Sequence, residues 1–295
     1  MDEHDRPPWF IRLLLGLGAW LASLFAVVCL LLAQLLNSEL SLLVLGLILG
    51  LGATFLRRSI REGSNDFFNQ LALAGMLTSQ ILVAVGLGWL MDELWAPVTM
   101  VFMALLIGVY PDRTGRFLTC LAMCAILAYL CLEYGWLTPA MVVVPIALTA
   151  GWLWLQAPRL ASTPLGPALP PLSFASVVGC FALILILKPG YWTAAVLTLA
   201  VSGLAWRLSG RFWGPLGVAV LGLSTLSAPG IPAALGALML GFYRRSLLLQ
   251  GLAWIFLIVC GALYYYDLGL TLLAKSGLMA LSGGVLLLVR WRLLR

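Results

Sequence analysis

Charged residues are scarce in this sequence: Asp, Glu, Lys and Arg make up 9% of its 295 residues, while 63% are hydrophobic. Soluble domains carry about a quarter charged and about half apolar residues. A soluble fold of this length could not bury so much apolar surface, whereas the hydrocarbon of a bilayer solvates it. The scarcity therefore excludes a soluble globular protein. It predicts an all-α, polytopic membrane helical bundle that forms a single transmembrane domain over residues 1–295.

Motifs of catalysis and metal binding are absent as well. The single histidine, His4, lies in the N-terminal tail, and the chain contains no H-E-x-x-H, G-x-S-x-G or P-loop motif. Its six cysteines all fall in apolar segments, where free thiols pack as small hydrophobic groups. We therefore predict no catalytic residue, no metal site, no cofactor and no disulfide, and we predict that the protein is not an enzyme.

Acidic residues are missing from the middle of the apolar segments, where proton- and sodium-coupled carriers commonly place one. This absence argues against a coupled ion carrier. The formal net charge of +6 comes from basic residues scattered singly and in pairs between apolar runs, and not from one basic surface. The charge therefore predicts membrane topology and no nucleic-acid partner.

Long apolar runs are what the sequence has in abundance. Breaks at Gly, Pro and charged residues divide them into about 12 transmembrane helices. The first run is too long for a cleavable signal peptide. The segment Ser227–Gly230 interrupts the run 212–243, so a count of ten or eleven helices stays open. The predicted helices span residues 13–36, 40–56, 68–91, 94–110, 117–132, 138–156, 172–187, 190–206, 212–228, 230–243, 247–266 and 268–289.

The basic residues predict the orientation of these helices, because Lys and Arg collect in cytoplasmic loops. With a cytoplasmic N-terminus, only Lys188 and Lys275 of the 17 basic residues fall on the outer side. We therefore predict that both termini are cytoplasmic. The basic residues predicted to be inside are Arg6, Arg12, Arg57, Arg58, Arg61, Arg113, Arg116, Arg159, Arg207, Arg211, Arg244, Arg245, Arg290, Arg292 and Arg295.

Small and amide residues within the runs predict helix contacts. Gly46 and Gly50 form a G-x-x-x-G pair, the spacing that lets two helix backbones approach closely in lipid. The amides within the runs are expected to bridge neighbouring helices by hydrogen bonds; they are Gln34, Asn69, Gln70, Gln80 and Gln250. Between the runs, the Pro-rich segment Ala157–Pro171 predicts a flexible linker, 157–171, that joins two halves, 1–156 and 172–295.

Three residues on the predicted outer side are candidates for a functional site. Lys275 lies about 10 Å inside the last helix if that helix begins near residue 268. Its long side chain could reach the headgroups, pair with Asp267 or serve function, because ionisable groups within membranes are functional candidates. Asp267 also fits an ordinary helix cap. Lys188 precedes Pro189 and Gly190, so it is either a loop charge or part of a shallow site for an anionic headgroup, a carboxylate or a partner residue.

The two ends of the chain resemble a known family. RPPWFIRLLLGLGAWLASLF, Arg6 to Phe25, and YYYDLGLTLLAKSGLMALSGGVLLLVRW, Tyr264 to Trp291, are similar to the opening and closing segments of the bacterial integral-membrane family named domain of unknown function 4401. The resemblance implies a location in the bacterial inner (cytoplasmic) membrane. It also implies co-encoded membrane proteins as partners beside the membrane lipids. It brings no activity and no catalytic residues.

Two hypotheses of function follow. The protein is a permease-like carrier of a hydrophobic or amphiphilic solute, or a non-catalytic membrane subunit or scaffold of a complex with co-encoded membrane proteins. A polar-lined cavity that contains Lys275 and glutamines would favour the carrier, and an exposed apolar groove beside a packed core would favour the subunit. A third hypothesis is an outer-leaflet enzyme that uses Lys188, Lys275 and the outer acids. The substrate, the coupling ion and the oligomeric state stay open.

Overall fold

The computed structural model describes residues 38–60, 66–134, 137–163, 166–209 and 213–267, together with scattered helical residues between 17 and 28 and between 277 and 291. Its regular structure is helical, and no strand occurs among these described residues. The all-α prediction is thus confirmed for this part of the chain. The predicted helices 13–36 and 268–289 lie almost entirely outside it.

The described residues contain ten α-helices, and each corresponds to one of the predicted helices with its ends within four residues. Breaks in hydropathy therefore located the helices well. The helices are α1 (Glu39–Ser59), α2 (Asp66–Leu90), α3 (Trp95–Val109), α4 (Arg113–Glu133), α5 (Pro139–Leu160), α6 (Leu169–Leu187), α7 (Tyr191–Ser209), α8 (Trp213–Ser224), α9 (Gly230–Tyr243) and α10 (Leu247–Asp267).

Six of the described helices, namely α1, α2, α4, α5, α6 and α10, are long and apolar enough to cross a membrane. Apolar helices α3 and α9, with 15 and 14 residues, extend only about 21 to 22 Å, less than the ~30 Å of a hydrocarbon core. The protein is therefore a multi-pass membrane protein.

Local sequence explains where the helices begin and end. Ser38 and Ser41 form a reciprocal capping box at the start of α1, and Arg57 and Arg58 lie in its last turn, where cations favour the helix dipole. The Asp112 side chain accepts a hydrogen bond of 2.9 Å from the amide of Gly115 in the first turn of α4. Polar side chains thus satisfy backbone groups that a helix end leaves unpaired.

The Pro-rich segment Ala157–Pro171 is largely helical where it is described. Its first residues complete α5, residues Gly166–Ala168 form one 3₁₀ turn, and α6 follows with prolines in its first turn, where Pro is tolerated. By its contacts the chain forms two compact units, residues 1–123 and 124–295. The two predicted halves, 1–156 and 172–295, stay a prediction.

In the first unit, α1 packs along α2 through small residues. Gly46 and Gly50 are buried, and the Ser79 hydroxyl of α2 donates a hydrogen bond of 2.6 Å to the carbonyl of Gly46. A Cβ atom at Gly46 would lie 2.8 Å from a methyl group of Val83. The predicted G-x-x-x-G contact is therefore confirmed as a contact within the chain.

In the second unit, one larger apolar core joins α4, α5, α6, α7, α9 and α10. Val143, Leu183 and Leu249 are almost completely buried in it. The rings of Phe181 and Phe256 stack with their centroids 3.8 Å apart. This core holds in place the helices that line the site described next.

Candidate functional site

A cavity of about 380 Å³ lies in the second unit between α5, α6, α7 and α9. Its volume falls at the lower end of the range of small-molecule pockets, about 300 to 1,000 Å³. Nearly all of its wall is apolar. The lining residues are Ala147, Leu148, Ala150, Gly151, Trp152, Leu155, Val177, Cys180, Phe181, Leu197, Ala200, Val201, Gly203, Leu204, Arg207, Ala233, Gly236, Ala237 and Leu240.

Glycines create the space at two points of the wall. A Cβ atom added at Gly151 or at Gly203 would meet no other atom within 4 Å. Gly236 differs, because a Cβ atom there would lie 2.9 Å from a methyl group of Val201. Gly236 therefore allows α7 and α9 to pack closely, while Gly151 and Gly203 leave room that a ligand can fill.

The cavity has a buried floor and an open side. Leu197 and Val177 in its wall are 2% and 4% exposed, whereas Leu148 and Trp152 are 51% and 53% exposed. The open side therefore reaches the surface of α5. Helix α5 is long and apolar enough to cross a membrane, so an apolar ligand that reached this surface from the bilayer would not cross water.

Arg207 is the one charged side chain in the described lining of the cavity. It lies in the last turn of α7, is exposed, and has no ion pair with any other described residue. A guanidinium group offers five N–H donors in a planar fork that matches carboxylate and phosphate groups. An apolar cavity with a single cation suits a ligand with an apolar chain and an anionic head.

The first unit contains a separate polar network at the junction of α3 and α4. The Arg57 guanidinium donates to Asn69 at 3.0 Å and to the Asp112 carboxylate at 3.2 Å. Arg58 donates to the carbonyl of Val109 at 3.0 Å, and Arg116 donates to the carbonyl of Tyr110 at 2.8 Å. The last turn of α1 and the end of α3 therefore lie at the same end of the first unit.

Two buried polar atoms lie near this network without a partner. Tyr110 follows the end of α3, is 1% exposed, and its hydroxyl makes no hydrogen bond. Burial raises the pKa of the Tyr110 phenol above its ordinary value, with a smaller contribution from Asp112 and an opposing one from Arg57. Deeper in α2, Gln80 donates to the Thr119 hydroxyl at 2.7 Å, but its side-chain oxygen is unpaired.

Three of the predicted amide bridges are confirmed, whereas Gln70 makes no hydrogen bond to another helix among the described residues and Gln34 lies outside them. Asn69 of α2 accepts a hydrogen bond of 3.0 Å from Arg57 of α1. Gln80 joins α2 to α4 through Thr119, and Gln250 in α10 donates a hydrogen bond of 3.0 Å to the carbonyl of Gly241 in α9. Neither side chain lines the cavity. The carrier hypothesis anticipated a polar lining, but the lining of this cavity is almost entirely apolar.

The predicted outer site is described only in part. Lys188 ends α6 in the left-handed conformation, with φ of 43°, and its amide donates to the carbonyl of Ile184. Its side chain is exposed and does not line the cavity. Asp267 is the last residue of α10, and Lys275 lies outside the described residues. The grouping of these three residues stays a prediction.

Sequence reasoning did not identify the cavity or the role of Arg207 in it. It assigned Arg207 to a cytoplasmic loop by charge alone. One signal was present: Ala200, Gly203 and Arg207 recur at helical spacing, which places two small residues and a cation on one face of α7. The pattern becomes informative only when the partner helices are known.

Comparisons with known proteins give a family and no relative of known activity. The model of a family described as Domain of unknown function (DUF4401) matches residues 8–295. No curated protein and no solved structure matches the chain.

Proposed function

We propose that this chain, which belongs to the DUF4401 family, is a permease-like carrier that binds amphiphiles with an apolar chain and an anionic head. The observation that carries the proposal is the cavity of the second unit, with its apolar wall and the single cation of Arg207. Burial of an apolar chain against this wall supplies affinity, at about 25 cal/mol per Å² removed from water.

Arg207 gives the cavity its preference for a charged head. A hydrogen bond to a charged group contributes about 1.5 to 3 kcal/mol, and 1.4 kcal/mol corresponds to about tenfold in affinity. We expect Arg207→Gln to weaken binding of an anionic amphiphile about tenfold. Arg159→Gln is the matched control, because Arg159 is exposed in the last turn of α5 but does not line the cavity.

Binding is tested with a fatty acid that carries a photoreactive diazirine in its acyl chain. The protein is reconstituted in nanodiscs, irradiated, digested and analysed by mass spectrometry. We expect labelled peptides from α5 and α7 in the wild type. Gly203→Leu should remove most of this labelling, because the new side chain fills the cavity. Gly261→Leu should not, because Gly261 is helical and open in the same way but lies outside the cavity.

Transport is tested separately from binding. Liposomes with and without the protein carry a fluorescent monoacyl phospholipid, and dithionite added outside quenches the outer leaflet. Faster loss of the inner fluorescence in the presence of wild type, but not of Gly203→Leu, is the expected result. Labelling of the cavity without any movement of lipid would contradict the carrier and leave a binding protein.

A second candidate function is the non-catalytic membrane subunit. The open, apolar side of the cavity is the kind of groove into which a helix of a co-encoded membrane protein could pack. Arg207 favours the amphiphile, because a neutral helix would leave this cation unpaired. Isolation of the protein from native membrane separates the two: a stoichiometric protein partner that blocks diazirine labelling would favour the subunit.

We also propose the topology of the chain: it crosses the bacterial inner membrane twelve times, and both of its termini are cytoplasmic. The contact of Arg58 with Val109 supports this topology, because the predicted order of spans places the end of α1 and the end of α3 on the inner side. The topology is tested with Arg113→Cys and Arg207→Cys, each made in a chain whose native cysteines have been replaced. A membrane-impermeant maleimide then labels each single cysteine only from the face on which it lies. Labelling of the two positions from opposite faces of the membrane would contradict this topology.

A further inference from the structure

The four-residue segment Val109–Asp112, from the last residue of α3 to the residue before α4, receives hydrogen bonds from three arginine side chains. Arg58 donates to residue 109, Arg116 to residue 110 and Arg57 to residue 112. These arginines come from two helices, α1 and α4. Three guanidinium groups are therefore held within hydrogen-bond reach of one short segment.

The charge of this cluster is not balanced by the described side chains. Asp112 is the one acid among them that forms an ion pair there, and Arg57 already occupies it at 3.2 Å. Arg113, exposed at the start of α4, adds a fourth cation and has no ion pair with any described residue. Cations that gather around one short segment repel each other, so an anion bound among them would stabilise the arrangement.

The arginines also keep donors free for such an anion. Arg58 uses one terminal nitrogen on Val109, and Arg116 uses its Nε atom on Tyr110. A guanidinium carries five N–H donors, so most donors on both side chains stay available. Because the bonds to the backbone fix both groups, little side-chain entropy is lost when a ligand binds.

We infer that Arg58, Arg113 and Arg116 form a binding site for the phosphate group of an anionic phospholipid. Guanidinium groups bind phosphate through paired, charge-assisted hydrogen bonds. The cluster lies at one end of the first unit, in the last turn of α1 and at the start of α4. Because α1 and α4 are long and apolar enough to cross a membrane, we expect these helix ends to lie at the depth of the lipid headgroups. The site is separate from the cavity and independent of the proposed carrier function.

Native mass spectrometry in a neutral detergent tests this site, with phosphatidylglycerol titrated against phosphatidylcholine. We expect phosphatidylglycerol to bind at least tenfold more tightly than phosphatidylcholine. Arg113→Gln should weaken phosphatidylglycerol binding about tenfold, and it breaks no bond within the described protein. The double variant Arg58→Gln with Arg116→Gln should remove the preference. Arg159→Gln, which alters an exposed arginine of the second unit, should retain it.

Three outcomes would overturn the inference. Equal binding of the two lipids would show that the head charge is not recognised. Unchanged phosphatidylglycerol binding by both arginine variants would show that these side chains do not hold the lipid. Displacement of the lipid by millimolar inorganic phosphate would assign the site to free phosphate instead of lipid. Circular dichroism of each variant confirms that it is folded.

Discussion

Removal of the Asp112 carboxylate should destabilise the first unit by a calculable amount. This side chain makes two contacts: it accepts the Gly115 amide at 2.9 Å and pairs with Arg57 at 3.2 Å. Loss of a helix-capping acceptor costs about 1 kcal/mol. Loss of the ion pair costs about 1 to 2 kcal/mol, because the two side chains are 17% and 21% exposed and Arg57 keeps its bond to Asn69. Asp112→Ala should therefore cost about 2 to 3 kcal/mol.

The two contributions can be separated by Asp112→Asn, because Asn also caps helices but carries no charge. We expect this variant to lose only the ion pair, about 1 to 2 kcal/mol. The assay is unfolding in mixed micelles with increasing dodecyl sulfate, followed by circular dichroism. Combination with Arg57→Met completes a double-mutant cycle, in which the coupling energy reports the pair alone.

Two results would refute this reasoning. If Asp112→Asn destabilises as much as Asp112→Ala, the side chain contributes no capping and the whole effect is electrostatic. If both variants are as stable as the wild type, the contact of Arg57 with Asp112 does not hold α1 against α4. The ion pair beside the proposed phosphate site would then not form in the membrane.

Three further predictions concern other parts of the chain. Gly46→Ala should destabilise the protein by about 1 to 3 kcal/mol, because its Cβ atom would collide with α2. Gly52→Ala should be neutral or stabilising, since space is open at that position. Thermal unfolding in detergent measures both variants. Gln80→Leu should cost about 1 kcal/mol or less in the same assay, because it loses one bond to Thr119 but also removes an unpaired buried oxygen. Lys275→Met should insert at wild-type levels, measured by membrane fractionation. If the Lys275→Met variant complements a deletion strain as well as the wild type does, this lysine has no functional role.

The helices could be predicted from sequence because lipid imposes their length and requires every backbone group to be paired within the segment. The run 212–228 is instructive, since α8 already ends at Ser224, ahead of the turn that contains Pro229. Sequence alone placed this end four residues too late because Thr225 to Ala228 are apolar or small. Backbone geometry, and not hydropathy, ends this helix.

The sites could not be predicted in the same way, because they depend on contacts between segments far apart in the chain. Arg57 and Asp112 are 55 positions apart, and no local pattern marks them as partners. The cavity likewise needs the packing of four helices, each of which is an ordinary apolar run when taken singly. Charge patterning predicted only that these arginines share one side of the membrane, and this stays a prediction.

The apolar lining of the cavity changes which solute a carrier of this kind would accept. A polar solute needs polar groups along its path, but Gln80 and Gln250 join helices, and the cavity wall consists of Ala, Gly, Val, Leu and aromatic side chains apart from Cys180 and Arg207. Unpaired polar groups in such a wall cost several kcal/mol each. An amphiphile avoids this cost, because its chain occupies the wall while its head stays at Arg207. If a neutral alkane of equal length bound as tightly as the fatty acid, the cation would be irrelevant, and the groove would fit an apolar helix of a partner better than a lipid.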